Sequence, residues 1–255
     1  MINSKKMPNF PPLRRYVFSV VDRWIFRHGL KSPFLEVGCG TGNLAVHLAR
    51  RGWEGTALDS SDEAVLRARQ ALSLYPGIRV MKEGLDSVPG ASAQTVFIMD
   101  VVEHVQDDAG LLRTLAGKTA PGGHLVLLTP MNPAEWGHDD DIYGHFRRYG
   151  WDEIGKLMAD AGFKVVERWN VTFPFIWLLR KLYLKFLPRG GMEGMRDRLT
   201  AASSFYSPWS RRTFLRTAGA VIGWRLWWLP LFWVQDLFAG TRRGHAAMFL
   251  AIKLP

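Results

Sequence analysis

The stretch that most constrains this 255-residue chain is Phe34-Leu35-Glu36-Val37-Gly38-Cys39-Gly40-Thr41-Gly42-Asn43-Leu44. A short apolar run ends in an acidic residue and a glycine-dense turn, and a helical pattern opens directly behind it at Leu44, Ala45, Leu48 and Ala49. Glycine lets the backbone turn tightly and lets a ligand approach without Cβ atoms in the way. A strand–turn–helix unit of this kind opens a nucleotide-binding α/β domain. The dinucleotide fingerprint G-x-G-x-x-G would put glycine at 43, where Asn43 stands. Glu36 at the strand end would repel a pyrophosphate and tolerate a cation.

Periodicity beyond the turn alternates in α/β fashion. Helical spacing of Leu13, Tyr16, Val17, Val20, Val21, Trp24 and Ile25 predicts a helix over 12–28. Strands are expected at 34–37, 54–58, 78–81, 95–99 and 124–129, with Pro121-Gly122-Gly123 as the turn into the fifth. Helices are expected over 43–51, from a Ser60 or Ser61 cap to 74, and from an Asp107 or Asp108 cap to 118. A helix over 151–161 with Gly162 as its C-cap, a sixth strand at 163–171 and a seventh at 246–253 complete the pattern. Strands alternating with helices imply a parallel sheet with right-handed crossovers.

Ligands in an open α/β sheet bind beyond the carboxyl ends of the strands. Glu36, Asp59 and Asp100 all fall there, Asp59 standing 19 residues after Gly40. Three acidic strand ends suit a nucleoside that carries a sulfonium. Glu36-Val37-Gly38-Cys39-Gly40-Thr41-Gly42, Asp59, Asp100-Val101-Val102-Glu103-His104-Val105 and Pro121-Gly122-Gly123 together resemble the motifs of class I S-adenosylmethionine (SAM) methyltransferases over about residues 30–170. The resemblance implies a Rossmann-like, seven-stranded, mostly parallel sheet with an antiparallel last strand, preceded by an N-terminal helix that covers the cofactor site or, on the other reading, only packs on the sheet edge. It implies SAM as cofactor, with Gly38 and Gly40 on the methionine side, Asp59 on the ribose and Gly84-Leu85 near the adenine. Glu36, Cys39, Asn43, Ser60, Asp100, Val101 and His104 complete the expected cofactor shell, His104 as a wall or positioning group. Many members carry Asp directly after the adenine-side glycine, where this chain has Leu85 and then Asp86.

Downstream of strand 5, Trp136-Gly137-His138-Asp139-Asp140-Asp141-Ile142-Tyr143-Gly144-His145-Phe146-Arg147-Arg148-Tyr149 is similar to a W-x-x-H-D-x-x-x-G-H-x-R-R-Y loop in a subset related to the ubiquinone-pathway O-methyltransferases. A hydroxyl acceptor must lose a proton, and histidine, with a pKa near ~6.5, is the natural base. His145, then His138 with Asp139, are the catalytic candidates. Trp136, Tyr143, Arg147, Arg148 and Tyr149 are candidates for the substrate. The other reading has His138, Asp139 and Arg147/Arg148 pinning the loop as a polar lid. A metal held by His138, Asp139 and Asp141 is not expected, because no second ligand cluster is evident.

Charge divides the chain. From Lys164 onward there are 15 Lys/Arg against 4 Asp/Glu, so the formal +10 resides there, and 7 of the 11 tryptophans lie there too. Residues 1–30 are expected as tail and cap helix, 31–172 as the cofactor-binding core, 173–244 as a basic, aromatic helical insertion and 245–255 as the last core strand. Trp, Phe and Leu mixed with Arg and Lys suit an anionic membrane surface, the other reading being an aromatic cap folded onto the domain core. The longest apolar stretch, 220–234, is broken by Arg225 and Pro230, so no spanning helix is expected. With one cysteine and no secretory signal, a cytoplasmic protein peripheral to the inner membrane face is expected. The leading reading is O-methylation of a lipid, quinone or lipid-linked saccharide. RNA or a soluble small molecule is the alternative acceptor, and nucleic acid is disfavoured because no N-P-P-Y-type element is present. A non-catalytic SAM-binding interaction protein is the reading of another class. Oligomeric state is not legible.

Overall fold

A computed structural model describes residues 12–82, 84–186 and 225–255. In chain order its elements are α1 (Pro12–His28), β1 (Phe34–Val37), α2 (Asn43–Ala49), β2 (Gly55–Leu58), α3 (Asp62–Leu72), β3 (Ile78–Met81), β4 (Ala93–Met99), α4 (Asp108–Lys118), β5 (Thr119–Pro130), α5 (His138–Tyr143), α6 (Trp151–Asp160), β6 (Phe163–Asn170), α7 (Phe175–Phe186), α8 (Arg225–Asp236) and β7 (Ala246–Lys253). The sheet order is β3-β2-β1-β4-β5-β7-β6. Strands β1 to β5 run parallel, and β7 is antiparallel to both β5 and β6.

Side chains alternate across the sheet, so neighbouring residues feed two cores. Phe34, Phe97, Val126 and Met248 pack on the face covered by α1 and α2. Leu35, Val96, Ile98, Leu125 and Phe249 pack on the face covered by α4 and α6. The central strands are therefore apolar on both sides, as parallel sheets require. Ser61 Oγ accepts from Ala64 N at the head of α3, and Asp107 accepts from Gly110 N at the head of α4.

Strand β5 begins at Thr119, five residues earlier than the pattern suggests. Pro121-Gly122-Gly123 is no turn between elements but an irregularity inside β5, where the register with β4 shifts between the Ala93–Thr119 and Thr95–His124 pairs. Pro174 stands just before α7, which opens at Phe175. The insertion is described only at its two ends; Arg196, Arg198, Arg211, Arg212 and Arg216 lie outside the described residues.

Strand order reverses between β1 and β4, and their carboxyl ends open the crevice where such sheets bind ligands. Because β6 runs parallel to β5, α7 starts at this same edge. Helices α1 and α8, at opposite ends of the sequence, are clasped together. Tyr16 OH donates to Asp236 Oδ1 at 2.7 Å and accepts from Trp169 Nε1 at 2.9 Å. Arg23 donates to Asp236 Oδ2 at 2.7 Å and lies over the Trp169 ring. Tyr16→Phe strands the Trp169 N–H and should cost about 1–3 kcal/mol in urea unfolding; a loss below about 0.5 kcal/mol would show the clasp to be surplus.

Candidate active site

The glycine turn after β1 is built from left-handed backbone: Gly38, Gly40 and Gly42 have φ of 74°, 53° and 75°. At Gly38 a Cβ would also stand 2.3 Å from Val101 Cγ2, so sterics exclude a side chain there twice over. Cys39 N donates to Leu58 O at 2.8 Å, which stitches the turn to β2. Asp59 Oδ2 accepts from Gly40 N at 2.8 Å and Oδ1 from Ser61 N at 2.9 Å, so Asp59 ties the turn to the start of α3. Asn43 donates to Thr41 Oγ1 within the turn, and Ser60 is exposed beside it. Cys39 is buried, and burial pushes its thiol well up, so it is no thiolate.

Three ionisable groups meet behind this turn. Glu36 is buried, its Oε2 has no hydrogen-bond partner, and burial pushes its carboxyl up to about 8, against the opposing pull of Ala45 N–H and Arg14. Asp100, at a left-handed φ of 54°, is reachable by water yet walled in by the crevice, which raises its pKa while His145 and Arg14 pull it down. Arg14 of α1 interacts with both carboxylates, Asp100 foremost. The N-terminal helix thus contributes a guanidinium to the acidic strand ends. In the segment that the family resemblance assigns to adenine, Gly84 is exposed, Leu85 is half-buried against the core and Asp86 is exposed in a short 3-10 turn (Leu85–Ser87).

The other wall is the loop from Met131 to Tyr149, closed by Asn132 N to Tyr149 O and Tyr149 N to Pro130 O. Asp140 is its hub. Asp140 Oδ1 accepts from His145 Nδ1 at 2.7 Å and Arg148 Nε at 2.9 Å; Oδ2 accepts from Gly137 N at 2.7 Å and from Arg180 at 3.2 Å. These partners outweigh its burial and hold the carboxyl down at about 2. His145 packs edge-on to His104, with ring centroids 4.8 Å apart, and Tyr143 stacks beside it at 6.0 Å. Burial, with the His145 ring beside it, lowers His104 to about 4, so it is neutral at physiological pH.

The structure therefore gathers Glu36, Gly38, Asp100, Val101, His104 and His145 around one crevice and commits other expected residues elsewhere. Asp139 does not support a histidine: Arg180 of α7 grips it at 2.7 and 2.6 Å. Arg148 is buried, donating to Asp140 and to the Met131 and His245 carbonyls. Arg147 donates to Asp108 and Gln106 O, and the fully buried Tyr149 donates to Asp108 at 2.8 Å. These three hold the loop in place. His138 has a buried Nε2 without a hydrogen-bond partner. Trp136 is exposed, with Nε1 on Asp141. Among the described residues, His138, Asp139 and Asp141 form no group able to hold an ion; the group that does is Glu103, His104 and His145. Sequence reading missed Arg14, Asp140 and Arg180. Asp140 sits three residues past Gly137, the place from which a side chain turns back to the N-cap backbone, and that spacing was the available signal.

Residues 12–168 match the family model described as "Methyltransferase domain". The chain belongs to this family. Among similar proteins, the ubiquinone biosynthesis O-methyltransferase of Xanthomonas euvesicatoria pv. vesicatoria is 39% identical over 100 residues, covering 37% of this chain and 41% of that one. The chain thus spans about two fifths of the length of that relative. Solved structures share the fold. Phosphoethanolamine N-methyltransferase 2 of Haemonchus contortus, in complex with S-adenosyl-L-methionine, superposes with a TM-score of 0.59 at 16% identity, over 95% of this chain and 53% of that one. The [4+2]-cyclase SpnF does so with a TM-score of 0.58 at 19% identity, over 92% and 80%. Fold alone does not separate these chemistries, so reactivity has to be argued from the crevice.

Asp140 supplies a pH test. Its folded-state pKa lies below the ordinary carboxylate value, so its stabilisation is complete above about pH 4 and is lost as pH falls toward 2. Asp140→Asn should remove roughly 2 kcal/mol of that acid-sensitive stability. Acid titration of the unfolding free energy checks it; parallel curves for variant and wild type between pH 4 and 2 would contradict it.

Proposed function

We propose that the chain is a SAM-dependent methyltransferase that acts on an oxygen of an apolar, quinone- or lipid-like acceptor at an anionic membrane surface. The donor set fits SAM. A buried Glu36 oxygen without a partner and the nearby Asp100 offer negative charge to a cationic amino-acid portion. The left-handed turn leaves the approach to Gly40 free of Cβ atoms, and the half-exposed Asp59 carboxylate retains acceptor capacity for ribose hydroxyls. When bound, SAM supplies an electrophilic methyl on a sulfonium.

The chain's own residues do the rest. Asp140 holds Nδ1 of His145, which fixes the ring and leaves Nε2 as the nitrogen available to an acceptor hydroxyl. His104 and Tyr143 flank that ring and limit where the hydroxyl can stand. Alignment of nucleophile and methyl is the main source of acceleration in a displacement of this kind.

The observation that carries the acceptor class is the orientation of α7. Two of its three charged residues are engaged by the acceptor loop: Arg180 is buried on Asp139, and the half-exposed Lys181 pairs with Glu135 at 2.8 Å, while Lys185 is exposed. Its apolar residues Leu178, Leu179 and Leu182 turn outward and are 44–52% exposed. A helix in water normally does the reverse. Helix α8 exposes Leu229 and Trp233, with Leu237 exposed in the turn just past its end at the same four-residue spacing, and this turn adjoins the start of α7 where Phe173 meets Phe238 edge-on. Apolar stripes beside the acceptor loop suit an interface that feeds an apolar substrate. No helix among the described residues is long and apolar enough to cross a membrane.

Two measurements test the reading. Flotation with phosphatidylglycerol-containing vesicles should capture the protein, and Leu178→Glu/Leu182→Glu should lose most of that capture while keeping SAM binding; equal flotation of the variant would remove α7 as the contact. For the cofactor, Glu36 carries its proton below about pH 8, and a cationic ligand favours its ionised form. SAM binding at pH 7 should therefore release a proton and tighten as pH rises toward 8. Isothermal titration in two buffers of different ionisation heat reads this directly, and binding without proton release would contradict the role of Glu36.

A further inference from the structure

The amino edge of the sheet, opposite the cofactor crevice, carries a second concave site. A cavity of about 210 Å³ is lined there by His28, Gly29, Lys31, Gln94, Gly122 and His124. We propose that it binds a small oxyanion, either inorganic phosphate or the phosphate of a phosphomonoester, between the end of α1 and the first residues of β4 and β5. The site is separate from the crevice. Thr95, paired with His124, stands five residues before Asp100, or about 17 Å along β4.

The backbone builds the cavity. Between the Ala93–Thr119 and Thr95–His124 pairs, β4 advances two residues while β5 advances five. The surplus bulges out of the ladder at Pro121-Gly122-Gly123, where Gly122 has a left-handed φ of 71° and open space around it. Such irregularities interrupt regular pairing and re-aim the side chains beside them. On the other side α1 stops at His28, because Gly29 takes a left-handed φ of 63°. The chain then reaches Lys31, whose N–H donates to Thr95 Oγ1 at 3.3 Å and whose carbonyl accepts from it at 2.8 Å.

The lining offers donors and no carboxylate. Among the described residues, Lys31 Nζ, the Gln94 amide and the His124 ring have no hydrogen-bond or ion-pair partner. His28 gives one ring nitrogen to Glu167 at 2.6 Å and keeps the other uncommitted. Glu167 also faces Arg27 at 3.7 Å, so its charge is already shared between two basic groups. Thr95, His124, Ile252 and Lys164 form one row across β4, β5, β7 and β6, which adds an ammonium to this face and no acid.

The volume decides what kind of anion fits. Sites for drug-sized ligands start near ~300 Å³, so this one suits a compact tetrahedral group that accepts from several directions at once. A cation would find no carboxylate in the lining. Half-buried His124 adds a signature: burial, with His28 beside it, holds its pKa below the ordinary histidine value. An anion favours the protonated ring. Binding should therefore take up a proton, and should weaken as pH rises.

The test uses the full chain without SAM or acceptor, so it stands or falls apart from the methyltransferase reading. Inorganic phosphate and glycerol 3-phosphate are the probes, at constant ionic strength. NMR of the histidine ring protons should show saturable shifts of His28 and His124, with His104 and His145 unmoved and the His124 titration displaced upward. Saturation by inorganic phosphate marks a free anion as the occupant, and tighter binding of glycerol 3-phosphate marks a phosphomonoester; both support the site. His124→Gln should weaken phosphate binding about tenfold or more, and Lys31→Gln severalfold. Lys31 is exposed, so its variant keeps the test decisive if His124→Gln fails to fold by circular dichroism. Lys156→Gln, which removes an exposed lysine paired with Asp160 on α6, should bind as wild type. No saturable shift up to millimolar phosphate, equal shifts with chloride, or equal losses in Lys156→Gln would overturn the site.

Discussion

One carboxylate organises the acceptor side of this molecule. Asp140 is sealed from water, and a buried carboxylate without partners would be strongly destabilising. Here it receives the Gly137 N–H, the His145 imidazole, and guanidinium groups from Arg148 and Arg180. Those donors come from the start of α5, the loop beyond it and α7. Satisfying a single charge therefore fixes three segments relative to one another. Arg148 extends the lattice to the Met131 and His245 carbonyls at the ends of β5 and β7, so the loop is fastened to the sheet edge.

The cofactor side depends on a complementary arrangement. Acidic strand ends are brought together by the reversal of strand order, and α1 sets Arg14 against them. Without a cationic ligand this guanidinium is the nearby positive charge, and it lowers the cost of keeping Glu36 and Asp100 together. Helix α1 is in turn held by Tyr16 and Arg23 on Asp236 of α8. The covering helix and the late insertion therefore share a support, and the apolar stripe of α8 is mechanically linked to the helix over the cofactor crevice.

Much of this was legible in the sequence, for physical reasons that differ by element. Strands β1, β3 and β7 and helix α1 came out at their observed limits because apolar period and turn residues agree there. The class of fold followed from alternation, and the family from Glu36 to Gly42 with Asp100 to His104. Beyond these, inference ran into long-range pairing. Within Asp139-Asp140-Asp141, composition does not say which carboxylate faces His145, and Arg180 lies 40 residues from Asp140 in the chain. The charged face of α7 reads like a headgroup-facing stripe until its partners Asp139 and Glu135 are seen to lie beneath it. Arg147, Arg148 and Tyr149 carry polar groups of the kind substrates need, yet buried backbone carbonyls and Asp108 consume them. The Glu103–His104–His145 group escaped for the same reason, since its members come from two loops.

The central claim is that Asp140 holds His145 in a single tautomer, with Nδ1 protonated and Nε2 directed at the chemistry. Nitrogen-15 NMR of labelled imidazoles measures this most directly. His145 should show a protonated Nδ1 with a strongly downfield proton and a bare Nε2, and Asp140→Asn should abolish this signature while His104 stays neutral down to about pH 4. A His145 ring that exchanges freely between tautomers, or that carries its proton on Nε2 in the wild-type protein, would contradict it.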